Sequence, residues 1–136
     1  MPLIGFTVFK EKILNGTKRQ TIRKLRKRPI QEGDMLHLYW KLRTKQCEKL
    51  GISPCIEHFL INIQSEYWVG RQRMRILKFE NDEYIPMFYK ETLDIAVRDG
   101  FKDDVEMLLW FAERYPLPET FEVIRWGHLM RGNDSS

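Results

Sequence analysis

Apolar and polar positions change rhythm several times along this chain, and each change marks an element. Residues 11–16 (EKILNG) place Ile13 and Leu14 on one turn of a short helix, with Gly16 suited to the left-handed position past its end. Residues 19–23 read as a strand around the β-branched Thr21 and Ile22. A turn at residues 31–34 (QEGD) precedes Met35–Trp40, a mostly apolar strand. Residues 43–54 are polar and read as a connection. Partial period-two alternation over 56–64, and again over 74–79, predicts two further strands.

The rhythm then becomes helical. Residues 91–99 run into Gly100, a C-terminal stop. Asp103 followed three residues later by Glu106 has capping-box spacing, which predicts a helix over 103–115. Leu108, Leu109, Phe111 and Ala112 supply its apolar face, and Pro116 and Pro118 end it. Residues 120–126 alternate again and close the chain as a strand. Short strands, a helical pair and a final strand predict an α+β fold, a small antiparallel β-barrel with flanking helices.

Nothing in the 136 residues reads as a linker, so one domain is expected over residues 1–131, with a disordered tail at 132–136. There is no apolar run long enough to span a bilayer and no signal-peptide pattern, so no membrane partner and a cytoplasmic location are expected. Cys47 and Cys55 are then free thiols. Together with His58 and His37 they match no strong zinc spacing, and neither metal nor cofactor is expected. Trp40, Trp110 and Trp126 lie in apolar segments and read as core.

Charge changes the picture most. Residues 1–79 hold 17 Lys and Arg against 6 Asp and Glu, whereas residues 80–122 hold 4 against 12. A basic half favours phosphate-bearing partners. The alternative is that the two halves attract each other within one domain. Residues 17–28 concentrate seven cations and no acid: Lys18, Arg19, Arg23, Lys24, Arg26, Lys27 and Arg28. Arg43, Lys45 and Lys49 extend the basic surface. Arg71, Arg73 and Arg75 alternate, so they share one strand face, and with Tyr67 and Trp68 they form a candidate stacking-and-phosphate surface for single-stranded RNA.

The order of residues in 13–23 (ILNGTKRQTIR) resembles the signature of the ASCH domain, a relative of the PUA domain. That pattern runs helix, Gly, one residue, Lys, two residues, Thr, one residue, Arg, and then Gly-Asp before the next strand. Gly16, Lys18, Thr21, Arg23, Gly33 and Asp34 fill those places. Residues 96–101 and 121–124 resemble the family's later helix and final strand.

The resemblance implies a PUA-like barrel with a cleft between barrel and helices. It implies RNA, a nucleotide or a modified nucleoside as the partner, bound by Lys18, Thr21 and Arg23; charge and strand alternation add Arg19, Arg43 and Arg73 as further basic contacts. No protein partner is expected. Some compact members remove the acyl group from acetylated cytidine, and a ribonuclease activity has been attributed to another, so an amidohydrolase and a ribonuclease using the same cleft are the two enzymatic alternatives. On the amidohydrolase alternative the family's Lys falls on Lys18, its Thr on Thr21, and its Glu on Asp99, one methylene shorter. Thr21 is then the nucleophile, Lys18 its base, and Asp99 the group that orients the lysine or the leaving amine. Arg19 and Arg23, as like charges, would help to lower the pKa of Lys18.

Overall fold

The computed structural model of the chain describes residues 2–130. The expected tail at 132–136 lies outside the described residues. In chain order the elements are β1 (Leu3–Phe6), α1 (Lys10–Leu14), β2 (Gln20–Lys24), β3 (Met35–Trp40), β4 (Glu48–Trp68), β5 (Arg71–Glu80), β6 (Glu83–Pro86), α2 (Tyr89–Arg98), α3 (Asp104–Arg114) and β7 (Glu119–Trp126). The class is mixed α+β.

β4 organises the sheet. Its 21 residues would reach about 70 Å if straight, too far for a domain of this size. The strand instead serves two neighbourhoods. Its first part pairs antiparallel with β3, from Met35 opposite Pro54 to Trp40 opposite Glu48. Its middle pairs with β7, and its last part with β5. A register shift between Cys55 and Glu57 marks the change of partner. Residues 48–54 of the expected polar connection 43–54 are therefore strand. Leu50, Gly51 and Ser53 are buried there while Ile52 and Pro54 are half-buried, a pattern too irregular to show as period two.

Among the described residues β2 pairs only with β7, and β6 only with β5. β1 lies beside β3 in parallel register, Leu3 opposite His37 and Phe6 opposite Trp40. The expected sheet was antiparallel throughout, so this pair is a correction. The chain passes through α1 and β2 between β1 and β3, and a crossover of that length permits parallel pairing.

Two apolar clusters flank β7. On one side α2 and α3 press Ile95, Ala96, Met107, Leu108 and Phe111 onto Ile61, Ile63, Ile76 and Phe121. On the other, Ile4, Phe6, Ile13, Leu36, Leu38 and Leu50 surround Ile124 and Trp126. α3 begins as its sequence indicates, with the Asp103 side chain accepting from the Glu106 N–H at 2.9 Å. Its buried stripe differs from expectation. Asp104, Met107, Leu108 and Phe111 face inward, while Leu109 is 60% exposed and Ala112 is exposed. The stripe 104, 107, 108, 111 follows the helical period, which leaves 109 and 112 on the far side. Among the described residues no helix is long and apolar enough to cross a membrane.

Candidate functional site

Asp99 caps the C-terminus of α2, and Gly100 follows at φ +108, where a side chain would be strained. A Cβ there would also come within 3.0 Å of the Phe9 ring. Phe9, itself at φ +65, packs edge-on against Phe101 with ring centroids 5.4 Å apart. This contact brings the start of α1 against the end of α2. Two lysines then reach the exposed carbonyls of the helix terminus. Lys12 Nζ donates to the Gly100 carbonyl at 2.6 Å, and Lys18 Nζ donates to the Asp99 carbonyl. Cations at this end of a helix are favoured by its dipole.

Lys18 also pairs with the Asp99 carboxylate, Nζ to Oδ2, at 3.3 Å. Both residues are buried, with 2% and 6% exposure. Burial pulls the pKa of Lys18 below its ordinary value, against the opposing pull of Asp99. Burial likewise pushes Asp99 up, against Lys18, Gln20 and Arg23. Gln20 Nε2 donates to the Ile95 carbonyl at 3.0 Å and to Asp99 Oδ1 at 3.2 Å. Its own Oε1 accepts from Arg125 Nε at 2.9 Å, and Arg125 Nη1 meets Glu57 at 2.8 Å. A polar chain thus runs from Lys18 through Asp99, Gln20 and Arg125 to Glu57.

Strand alternation sends the next residues of β2 the other way. Thr21 is 4% exposed, and its Oγ1 accepts from Arg23 Nε at 3.0 Å. Arg23 Nη2 donates to the Gly5 carbonyl of β1, and its guanidinium lies 4.9 Å from the Phe6 ring centroid. Burial lowers the pKa of Arg23, opposed first by Asp99, but a guanidinium stays charged. The Lys18 ammonium stands 5.8 Å from the other side of this neighbourhood, the same Phe6 ring.

Beside Arg23 is an open hollow of about 420 Å³. Gly5, Phe6 and Thr7 form one wall, Arg23 and Arg26 another, and Leu42 and Arg43 close it. Lys41 and Arg43 sit at φ +48 and +66, an uncommon backbone for side chains of this kind. Three arginines therefore border the hollow. Arg26 lies 3.8 Å from the Glu122 carboxylate. Among the described residues Arg43 makes no ion pair.

The sequence-derived site is thus partly assembled. Lys18, Thr21, Arg23 and Asp99 occupy one neighbourhood, and Arg43 joins them through the hollow. Arg19 does not. It precedes β2, is exposed, and lines a separate small hollow with Gly16, Trp126 and Leu129. Its place on the Thr21 face assumed a strand beginning one residue earlier. Arg73 also stands apart, on β5, where its Nε meets Glu66 at 2.9 Å. The proposed stacking residues beside it, Tyr67 and Trp68, have side chains outside the described ones. Cys47 is exposed and Cys55 buried, while His58 Nε2 lies 3.0 Å from Glu122.

Sequence reasoning passed over Arg26, Phe6 and Gln20. Arg26 was one cation in a run of seven, and nothing local singles it out. Gln20 lies between Lys18 and Thr21, and only the fold shows that its amide ties α2 to β7. The charge asymmetry has a double meaning here. Lys18–Asp99, Lys24–Glu119 and Arg26–Glu122 join the basic and acidic halves, whereas Arg43 is left facing an open concavity. No protein-family model, curated protein or solved structure matches the chain.

Proposed function

We propose that the chain is an ASCH-like domain that binds a phosphate-bearing ligand, a nucleotide or RNA, in the hollow beside Arg23. One observation carries this reading: three arginines, Arg23, Arg26 and Arg43, converge on a single concavity. Arg23 is held in place by the Thr21 hydroxyl, the Gly5 carbonyl and the Phe6 ring. A guanidinium fixed in advance recognises phosphate with little loss of side-chain freedom. Thr21 and Arg23 occupy the places the family pattern reserves for them.

The PUA-like barrel belongs to the same proposal. The pairings run β1–β3–β4–β7–β2, and β2 returns toward β1 where Arg23 reaches Gly5. On this reading the ligand hollow is the seam of a five-stranded barrel, bridged by a side chain instead of a backbone ladder.

The test is fluorescence anisotropy with a labelled single-stranded RNA over a salt series. Wild type should bind, and its log K should fall linearly with log salt. Arg43→Ala should weaken binding and reduce the slope by about 0.7, the loss of one phosphate contact on a single strand. Absence of binding at low salt would sink the reading.

A second reading, the amidohydrolase, is supported by the buried Lys18–Asp99 pair, with burial lowering the pKa of Lys18 in the direction a lysine base requires; the Thr21 hydroxyl contacts Arg23 and would have to turn from it toward Lys18. Its test is acetate release from acetylated cytidine. Turnover should vanish in Lys18→Ala and in Thr21→Ala, each first shown to be folded.

A further inference from the structure

The loop between β2 and β3 is fastened from below. Glu122 of β7 is fully buried, at 0% exposure. Its Oε2 accepts from the Arg26 backbone N–H at 3.1 Å, and its Oε1 from the Ile30 backbone N–H at 3.2 Å. His58 closes on the same Oε1 at 3.0 Å. A carboxylate that grips two backbone amides four residues apart fixes the loop's path, and leaves the side chains between them outside.

Those side chains are Lys27, Arg28 and Pro29, all exposed. Among the described residues neither Lys27 nor Arg28 makes an ion pair. With Arg26 they border a second hollow of about 660 Å³, based on Pro2 and Ile30. Asp34 is the acid on this rim, and its Oδ2 already accepts from the Gln31 N–H at 3.0 Å. Arg26 borders both this hollow and the one beside Arg23. Two concavities of positive charge thus adjoin across one shared arginine.

A mononucleotide has no use for the second concavity. Successive phosphates of one strand do, provided the backbone can dip from one hollow into the next. A single strand bends this freely, whereas a duplex is stiff over many base pairs. The loop is also pre-set by Glu122, so few of its own degrees of freedom are lost on binding.

We infer that the 26–30 loop is a second phosphate subsite, and that the ligand is a single-stranded oligonucleotide instead of a free nucleotide. The inference rests on the reading of the first hollow as a phosphate site.

The experiment compares uridine monophosphate, a single-stranded uridylate octamer and an RNA duplex of eight base pairs. Each is titrated into wild type, Lys27→Ala/Arg28→Ala and Arg43→Ala, after all three are shown to melt alike. In wild type the octamer should bind at least tenfold more tightly than the monophosphate and than the duplex. The double variant should lose most of that advantage, and its octamer salt slope should fall by about 1.4, two contacts at about 0.7 each. Its affinity for the monophosphate should change less than twofold. Arg43→Ala should weaken both ligands. An octamer no tighter than the monophosphate, a duplex that binds as well as the octamer, or equal losses for octamer and monophosphate in the double variant would each overturn the second subsite. In those cases the first hollow would stand. If no ligand binds wild type at low salt, both readings fall together.

Discussion

Lys18 shows how one residue serves fold and site at once. Its ammonium holds the last carbonyl of α2 and a buried carboxylate, so its first role is structural. Removing one member of a buried ion pair leaves the other charge unpaired and costs about 3–5 kcal/mol. Lys18→Met should therefore destabilise by that amount in urea unfolding. Adding Asp99→Asn removes the stranded charge, so the double variant should be more stable than Lys18→Met alone. A double variant less stable than the single would show that the pair does not act as described. Loss of activity in Lys18→Ala counts for the amidohydrolase only alongside proof of folding, because this same residue closes the helix end.

Glu122 is the second residue with a buried duty. Burial alone would raise its pKa, but His58 and the Ile30 and Arg26 amides outweigh burial and hold it below the ordinary glutamate value. A carboxylate lowered on folding stabilises above its unfolded pKa, about 4.3. That stabilisation disappears as pH falls through the folded value. Glu122→Gln should cost about 1–3 kcal/mol at neutral pH and should lose less stability than wild type on acidification below that range. Parallel acid limbs in the two proteins would contradict this assignment.

At the scale of elements, the sequence was most legible where chemistry is local. The Asp103 cap, the Gly100 stop and the Met35–Trp40 strand were each readable from a few residues. β4 was not. Its continuity across residues 48–68 depends on exchanging β3 for β7 and β5 as partners, which no local pattern encodes. β1 and β6 are four residues each, too short for alternation to register. Within β4, beside the register shift opposite Leu38 and Tyr39, one position has its own requirement. Gly51 sits at φ +154, and a Cβ there would fall 2.6 Å from both the Met130 carbonyl oxygen and Leu129 Cγ. Residues 129–130 are pinned there by two backbone bonds between Ile52 and Met130. Gly51→Ala should destabilise by about 1–3 kcal/mol through overpacking, read as a lowered urea midpoint with an unchanged m-value. A midpoint equal to wild type would mean that the 129–130 segment yields freely.

For the whole molecule, the spacing Gly16, Lys18, Thr21, Arg23 drew attention to a stretch that the fold places between the end of α2 and the hollow beside β1. The fold then separated its members into two layers. Lys18 and Gln20 face the helix end, while Thr21 and Arg23 face β1 and the hollow. Arg19 and Arg73 were assigned from charge and alternation alone, and charge does not record which concavity a side chain borders. Arg43 was found because it extends a basic surface, but its place opposite Arg23 comes from tertiary structure. The cross-half ion pairs explain part of the charge asymmetry without any partner. Among the cations they leave over, Arg43, Lys27 and Arg28 border the two adjoining hollows, whereas Arg19, Lys45 and Lys49 do not.

The central claim concerns where a phosphate ligand sits, and a backbone amide NMR titration with uridine monophosphate addresses it most directly. The account predicts saturable shifts concentrated at Gly5, Phe6, Thr7, Arg23 and Arg43, lost in Arg43→Ala. Shifts confined to β5 around Arg73, or no saturable shift at low salt, would contradict it.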